Sequence, residues 1–143
     1  MLAAIGAGRR NVEVGVAIRI VRLGSKRVMN EGLRIGTVRR PPRGVPMSEY
    51  ARQNWYDVWY PDLAPSAETL KFGHNAASTK DWNAFARRYR AEMKKPAAKR
   101  SIALLAALSH HAAFSVGCYC EDESRCHRSI LRELLKEAGA KVA

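Results

Sequence analysis

The chain has 143 residues, 47% hydrophobic and 27% charged, which fits one globular domain with a proper core and excludes a disordered chain. No apolar run approaches the roughly 18 residues of a membrane span, so an integral membrane helix is excluded. Lys and Arg number 25 against 13 Asp and Glu, a net charge of +12, and such an excess favours an anionic partner, a small molecule or a nucleic acid.

The charge is segregated. Residues 1–44 carry 10 Lys and Arg against 2 Glu, and residues 78–110 carry 8 against 2 acidic residues. The apolar start, residues 1–8, has no basic residue ahead of it and is too short for a secretory signal. It reads as part of a flexible tail over residues 1–13, ahead of one domain over residues 14–143. Three cysteines, an odd number, do not fit a secreted disulfide framework. The expected setting is the reducing cytoplasm.

Residues 14–23 (VGVAIRIVRL) alternate and are rich in β-branched side chains, so they predict a first strand. Residues 33–38 (LRIGTV) predict a second, despite an internal glycine. The run 39–46 (RRPPRGVP) is a loop, because its prolines lack donors and restrict their neighbours. Residues 56–60 (YDVWY) predict a short aromatic strand, with Asp57 placed to orient an arginine. Ser66 then caps a helix over 67–72, with Pro65 beside it. Ser78 with Asp81 three positions on starts another. Trp82, Phe85, Tyr89 and Met93 form its apolar stripe, and basic residues take much of the remaining surface. Pro96 separates this from a helix over 101–109. Residues 113–119 predict the last strand, and a final amphipathic helix ends at Gly139. The pattern predicts an α/β fold, a single domain with a small, mostly parallel sheet and covering helices.

Several blocks resemble one known family. Pro42-Arg43-Gly44, Asp57-Val58-Trp59 and Ala64-Pro65-Ser66 are similar to the YeaO-like group of domain-of-unknown-function family 488. So are Phe72-Gly73-His74, the run Trp82, Phe85, Arg88-Tyr89 and Glu92, and the closing Cys126-His127-Arg128-Ser129. The resemblance spans residues 16–136 and implies a small cytoplasmic bacterial or archaeal α/β domain. It supplies no agreed catalytic residues. The chain has Arg40-Pro41 where the group carries Leu-Trp, and cysteines where many members have none. A reaction using all three thiols would belong to this branch alone.

All three cysteines lie in the segment 117–128 (GCYCEDESRCHR), where the last strand hands over to the last helix. This is where α/β proteins place their chemistry. With Ser124 as N-cap, Cys126 and His127 fall in the first helical turn, where the dipole lowers a thiol pKa and favours anions. Three carboxylates at 121–123 oppose that effect. Cys126, His127 and His74 are therefore candidates for thiol and acid–base chemistry. Arg39, Arg43, Arg128 and Cys120 are candidates for holding an anionic ligand. Cys118 reads as a core residue. The spacing C-x-C-x5-C-H departs from that of a zinc site, and adjacent helical ligands converge poorly. No metal is assigned on this ground, and a metal-binding protein is only a second alternative.

The expected function is binding of a phosphate- or nucleotide-like small molecule at the carboxyl edge of the sheet, with thiol chemistry at Cys126. A nucleic-acid-binding module using residues 1–44 and the basic helix is the alternative.

Overall fold

The computed structural model describes residues 16–143. The expected tail, residues 1–13, lies outside them. Four strands form among the described residues: β1 (Ile18–Arg22), β2 (Leu33–Gly36), β3 (Val58–Trp59) and β4 (Phe114–Cys118). They make one sheet in the order β1-β4-β2-β3, and every pairing is parallel. The expectation of a mostly parallel sheet is met in full. All five residues of β4 are buried, as a central parallel strand must be. Glycine is required at position 36 of β2, since a Cβ there would lie 2.3 Å from the Tyr56 ring. The strand uses glycine to let that ring pack against its backbone.

Four helices follow the local signals: α1 (Ala67–His74), α2 (Thr79–Met93), α3 (Pro96–Leu108) and α4 (His127–Glu137). The Ser66 hydroxyl accepts the Thr69 N–H and the Ser78 hydroxyl accepts the Asp81 N–H, so both predicted caps form. Pro96 opens α3 rather than preceding it, because the first turn of a helix has no use for the missing N–H. Gly139 follows the C-cap of α4 at φ 91°, the left-handed position that favours glycine.

Alternation sends Phe114, Val116 and Cys118 to one face of the sheet. Phe114 and Val116 join Ile18, Ile35, Leu63, Phe85, Tyr89, Met93, Ile130, Leu131 and Leu135 in the main core. The Tyr89 hydroxyl donates to the Leu63 carbonyl at 2.7 Å, so this buried polar atom is satisfied. Cys118 sits in a second cluster with Leu23, Val38, Tyr56 and Cys126, towards the carboxyl ends of the strands. On the opposite face Ser115 and Arg34, neighbours in register, join Glu31 in a buried polar network. No helix among the described residues is long and apolar enough to cross a membrane.

Candidate functional site

In a parallel sheet the loops that follow the strands gather at one edge, and a crevice between them is the usual ligand site. Here the segments after β1 (residues 22–25), β2 (38–43) and β4 (118–120) line one cavity of about 810 Å³, with Trp55, Pro65, Leu70, His74 and His127. The two predicted halves, the arginine loop and the cysteine segment, therefore meet. Leu23, Val38, Pro41, Pro42, Trp55 and Leu70 make the walls largely apolar. Trp55 and Tyr119 meet edge to face at 5.8 Å. The Tyr119 hydroxyl donates to the Arg40 carbonyl at 2.9 Å, tying the cysteine segment to the arginine loop.

The arginines of that loop have different roles. Arg39 donates to the carbonyls of Pro65 and Ala64 at 3.0 and 3.2 Å, so its guanidinium clamps the loop to the start of α1. Arg40 and Arg43 are exposed, line the cavity, and have no side-chain partner among the described residues. Arg22, at the end of β1, also lines it and makes only long contacts, 3.4 Å to Tyr119 O and to Glu121. Arg40 belongs to the loop of arginines that the sequence placed in a basic pocket, whereas Arg22 was not singled out by sequence. The position of Arg22 at the carboxyl end of a predicted strand was the available signal.

His74 closes α1 and faces the cavity from an exposed position. Cys120 is exposed and faces it too. Partial desolvation of its sulfur raises the Cys120 thiol pKa, although Arg128 and Arg22 act to lower it. Cys126 is 2% exposed and Arg128 4%, and neither lines the cavity. The helix start is also displaced from the expected one. Asp122 accepts the Ser124 N–H and hydroxyl, making a separate 3-10 turn over Glu123–Arg125. Cys126 is then the extended N-cap residue of α4, and His127 is its first residue. The local Asp122 cap out-competes Ser124 as a helix start.

The carboxylates at 121–123 each have a partner, though only Glu123 is closely ion-paired. Arg132 holds Glu123 through two hydrogen bonds of 2.9 Å, Arg22 reaches Glu121, and Asp122 is engaged by Ser124.

The three sulfurs nonetheless converge. Those of Cys118, Cys120 and Cys126 lie within 4.8 Å of one another, with the Cys118 and Cys126 sulfurs bonded. The expected poor convergence assumed that Cys126 and His127 both project from helical turns. Cys126 is extended instead, at φ −128° and ψ 147°, and this turns its thiol back towards Cys118. His127 is buried, with Nε2 2.8 Å from the Thr37 carbonyl and Nδ1 3.8 Å from Cys126 Sγ. Burial, reinforced by Arg128 and opposed by the Thr37 bond, lowers its pKa to about 4. At neutral pH it is an uncharged imidazole.

Fold and site together define a class: a small, all-parallel α/β domain with a basic crevice at the carboxyl ends of its strands and a thiol cluster in its floor. Residues 18–139 match the model of a family described as the active DUF488-N3 subclade, and the chain belongs to the DUF488 family. The YeaO-like blocks pointed to this same family. Comparison with curated proteins and with solved structures finds no match.

Proposed function

We propose that this protein binds an anionic small molecule, phosphate- or nucleotide-like, in the cavity at the carboxyl edge of its sheet. The observation that carries this reading is the pair Arg40 and Arg43, exposed and without side-chain partners among the described residues, on a cavity with apolar walls. Guanidinium groups there can engage phosphate oxygens two at a time. The Trp55 indole and the Tyr119 ring offer flat surfaces for a base or similar group. The size, about 810 Å³, lies within the roughly 300–1,000 Å³ of small-molecule sites. The family description, an active subclade, supports a working site in this domain. Cys126 is buried behind the cavity, so the reading does not use it as an attacking thiol.

The test is calorimetric titration at low salt with adenosine and guanosine 5′-monophosphates and with inorganic phosphate. At least one nucleotide should bind more tightly than phosphate, and an Arg40→Ala, Arg43→Ala double variant should lose most of that affinity. Failure of all three probes to bind at millimolar concentration would overturn the reading. Preferential binding of a single-stranded oligonucleotide, weakening steeply with salt, would favour a nucleic-acid module instead.

A further inference from the structure

His127 stands beside the thiol cluster, outside the three sulfurs that lie within 4.8 Å of one another. The Thr37 carbonyl can only accept a hydrogen bond, so His127 Nε2 carries the ring proton and Nδ1 presents a lone pair. That lone pair is 3.8 Å from Cys126 Sγ. A tetrahedral ion with Zn–S near 2.3 Å sets sulfurs about 3.8 Å apart. The three cysteine sulfurs lie close enough together, within 4.8 Å, for small side-chain movements to reach that spacing.

The backbone agrees. The Cα atoms of Cys118 and Cys126 are 7.8 Å apart, about 1 Å beyond the usual span of a disulfide. An ion seated between the two sulfurs needs that extra room, whereas a direct bridge does not.

Charge is the third observation. Three thiolates and one divalent cation leave a net charge of −1, which a buried site must compensate. Arg128 is 4% exposed, its Nε has no partner, and its remaining bonds to Cys118 O and Glu121 O are long, at 3.5 and 3.4 Å. Its charge acts on Cys120. A cationic side chain with unspent donors beside the sulfurs is the counter-charge such a centre requires.

We propose that Cys118, Cys120 and Cys126 form a three-thiolate site for a thiophilic divalent ion, zinc, beside the cavity, with His127 Nδ1 against the Cys126 sulfur. The ion and the Cys118–Cys126 bond are alternative uses of the same sulfurs. A phosphine or thiol reductant supplies two electrons, and two protons complete the pair of thiols. Zinc then displaces three thiol protons to solvent. Protein takes three positions and leaves the fourth open, as in zinc sites that bind a water or a substrate.

The test uses the full chain, reduced with a phosphine and assayed for metal. It should retain one zinc per chain, and cobalt in its place should show thiolate-to-metal charge transfer and tetrahedral d–d absorption. Cys120→Ser changes an exposed residue, so it should keep the wild-type circular dichroism while losing at least 10-fold in zinc affinity. Arg128→Met should lose about 10–100-fold, as outer-shell changes do. A reduced, folded protein that binds no zinc, an octahedral cobalt spectrum, or unchanged zinc affinity in Cys120→Ser would each overturn the proposal.

Discussion

Among the described residues two arginines are buried, and they are buried differently. Arg34, 0% exposed, sits against the sheet with Nε and one terminal nitrogen on the Glu31 carboxylate at 2.7 and 2.9 Å. Its other terminal nitrogen reaches the carbonyls of Ser25 and Asn54, both at 2.8 Å. Ser115 adds a donor to Glu31 at 2.8 Å. Arg128 has no carboxylate within salt-bridge distance among the described residues, makes only two long carbonyl bonds, and leaves Nε unsatisfied. Desolvation of a guanidinium costs several kcal/mol wherever it occurs. Around Arg34 the chain offsets that cost with its own groups. Around Arg128 it does not, and this incomplete arginine stands beside three sulfurs and the candidate ligand cavity. A saturated buried charge marks architecture, and an unsaturated one marks a place kept for something else.

The comparison can be broken most forcefully at the saturated end. Arg34→Met leaves Glu31 as a buried, unpaired carboxylate and should cost about 3–5 kcal/mol, measured by urea unfolding. If the loss is no greater than that of Arg128→Met, the distinction fails. The same pair sets an acid response. Burial raises the Glu31 pKa, but the bonds from Arg34 and Ser115 outweigh it and bring it to about 2, against 4.5 for the free group. Its contribution is therefore present above pH 4.5 and lost as pH falls from there towards 2. Unfolding curves across that window should show the loss in wild type and a weaker dependence in Glu31→Gln.

Arg128→Met in the metal-free protein should cost less, about 1–3 kcal/mol, since few good bonds are given up. Adding zinc should stabilise wild type more than this variant, which sharpens the contrast. Arg43→Ala has the smallest expected effect on stability, within about 0.5 kcal/mol for an exposed side chain. It should still weaken nucleotide binding, and unaltered binding would detach the cavity from its arginine loop.

Local features were legible in the residue order. The caps Ser66 and Ser78 formed because a hydroxyl needs only the N–H three residues on. Of the stripe Trp82, Phe85, Tyr89 and Met93, the last three are buried and Trp82 is partly buried against the core. Asp57 does orient an arginine, Arg27, through bonds of 2.9 and 3.1 Å. Arg39 was legible as a loop arginine but not as a clamp, since its acceptors are 25 and 26 residues away. Cys118 satisfied both descriptions available to it. It is a buried strand residue, and its sulfur also belongs to the cluster.

By themselves, the residues in order determined the α/β class, the family, the basic balance and the elements at the carboxyl edge of the sheet. These depend on periodicity, capping and composition, which act over one or two turns of chain. Tertiary structure alone decided that Cys126 turns back to Cys118, that Thr37 sets the His127 tautomer, and that Arg128 lacks the partners Arg34 has. The Thr37–His127 contact joins segments 90 residues apart, brought together when β4 pairs with β2, and the Cys118–Cys126 contact depends on the 3-10 turn between them. No short-range rule specifies where such segments meet.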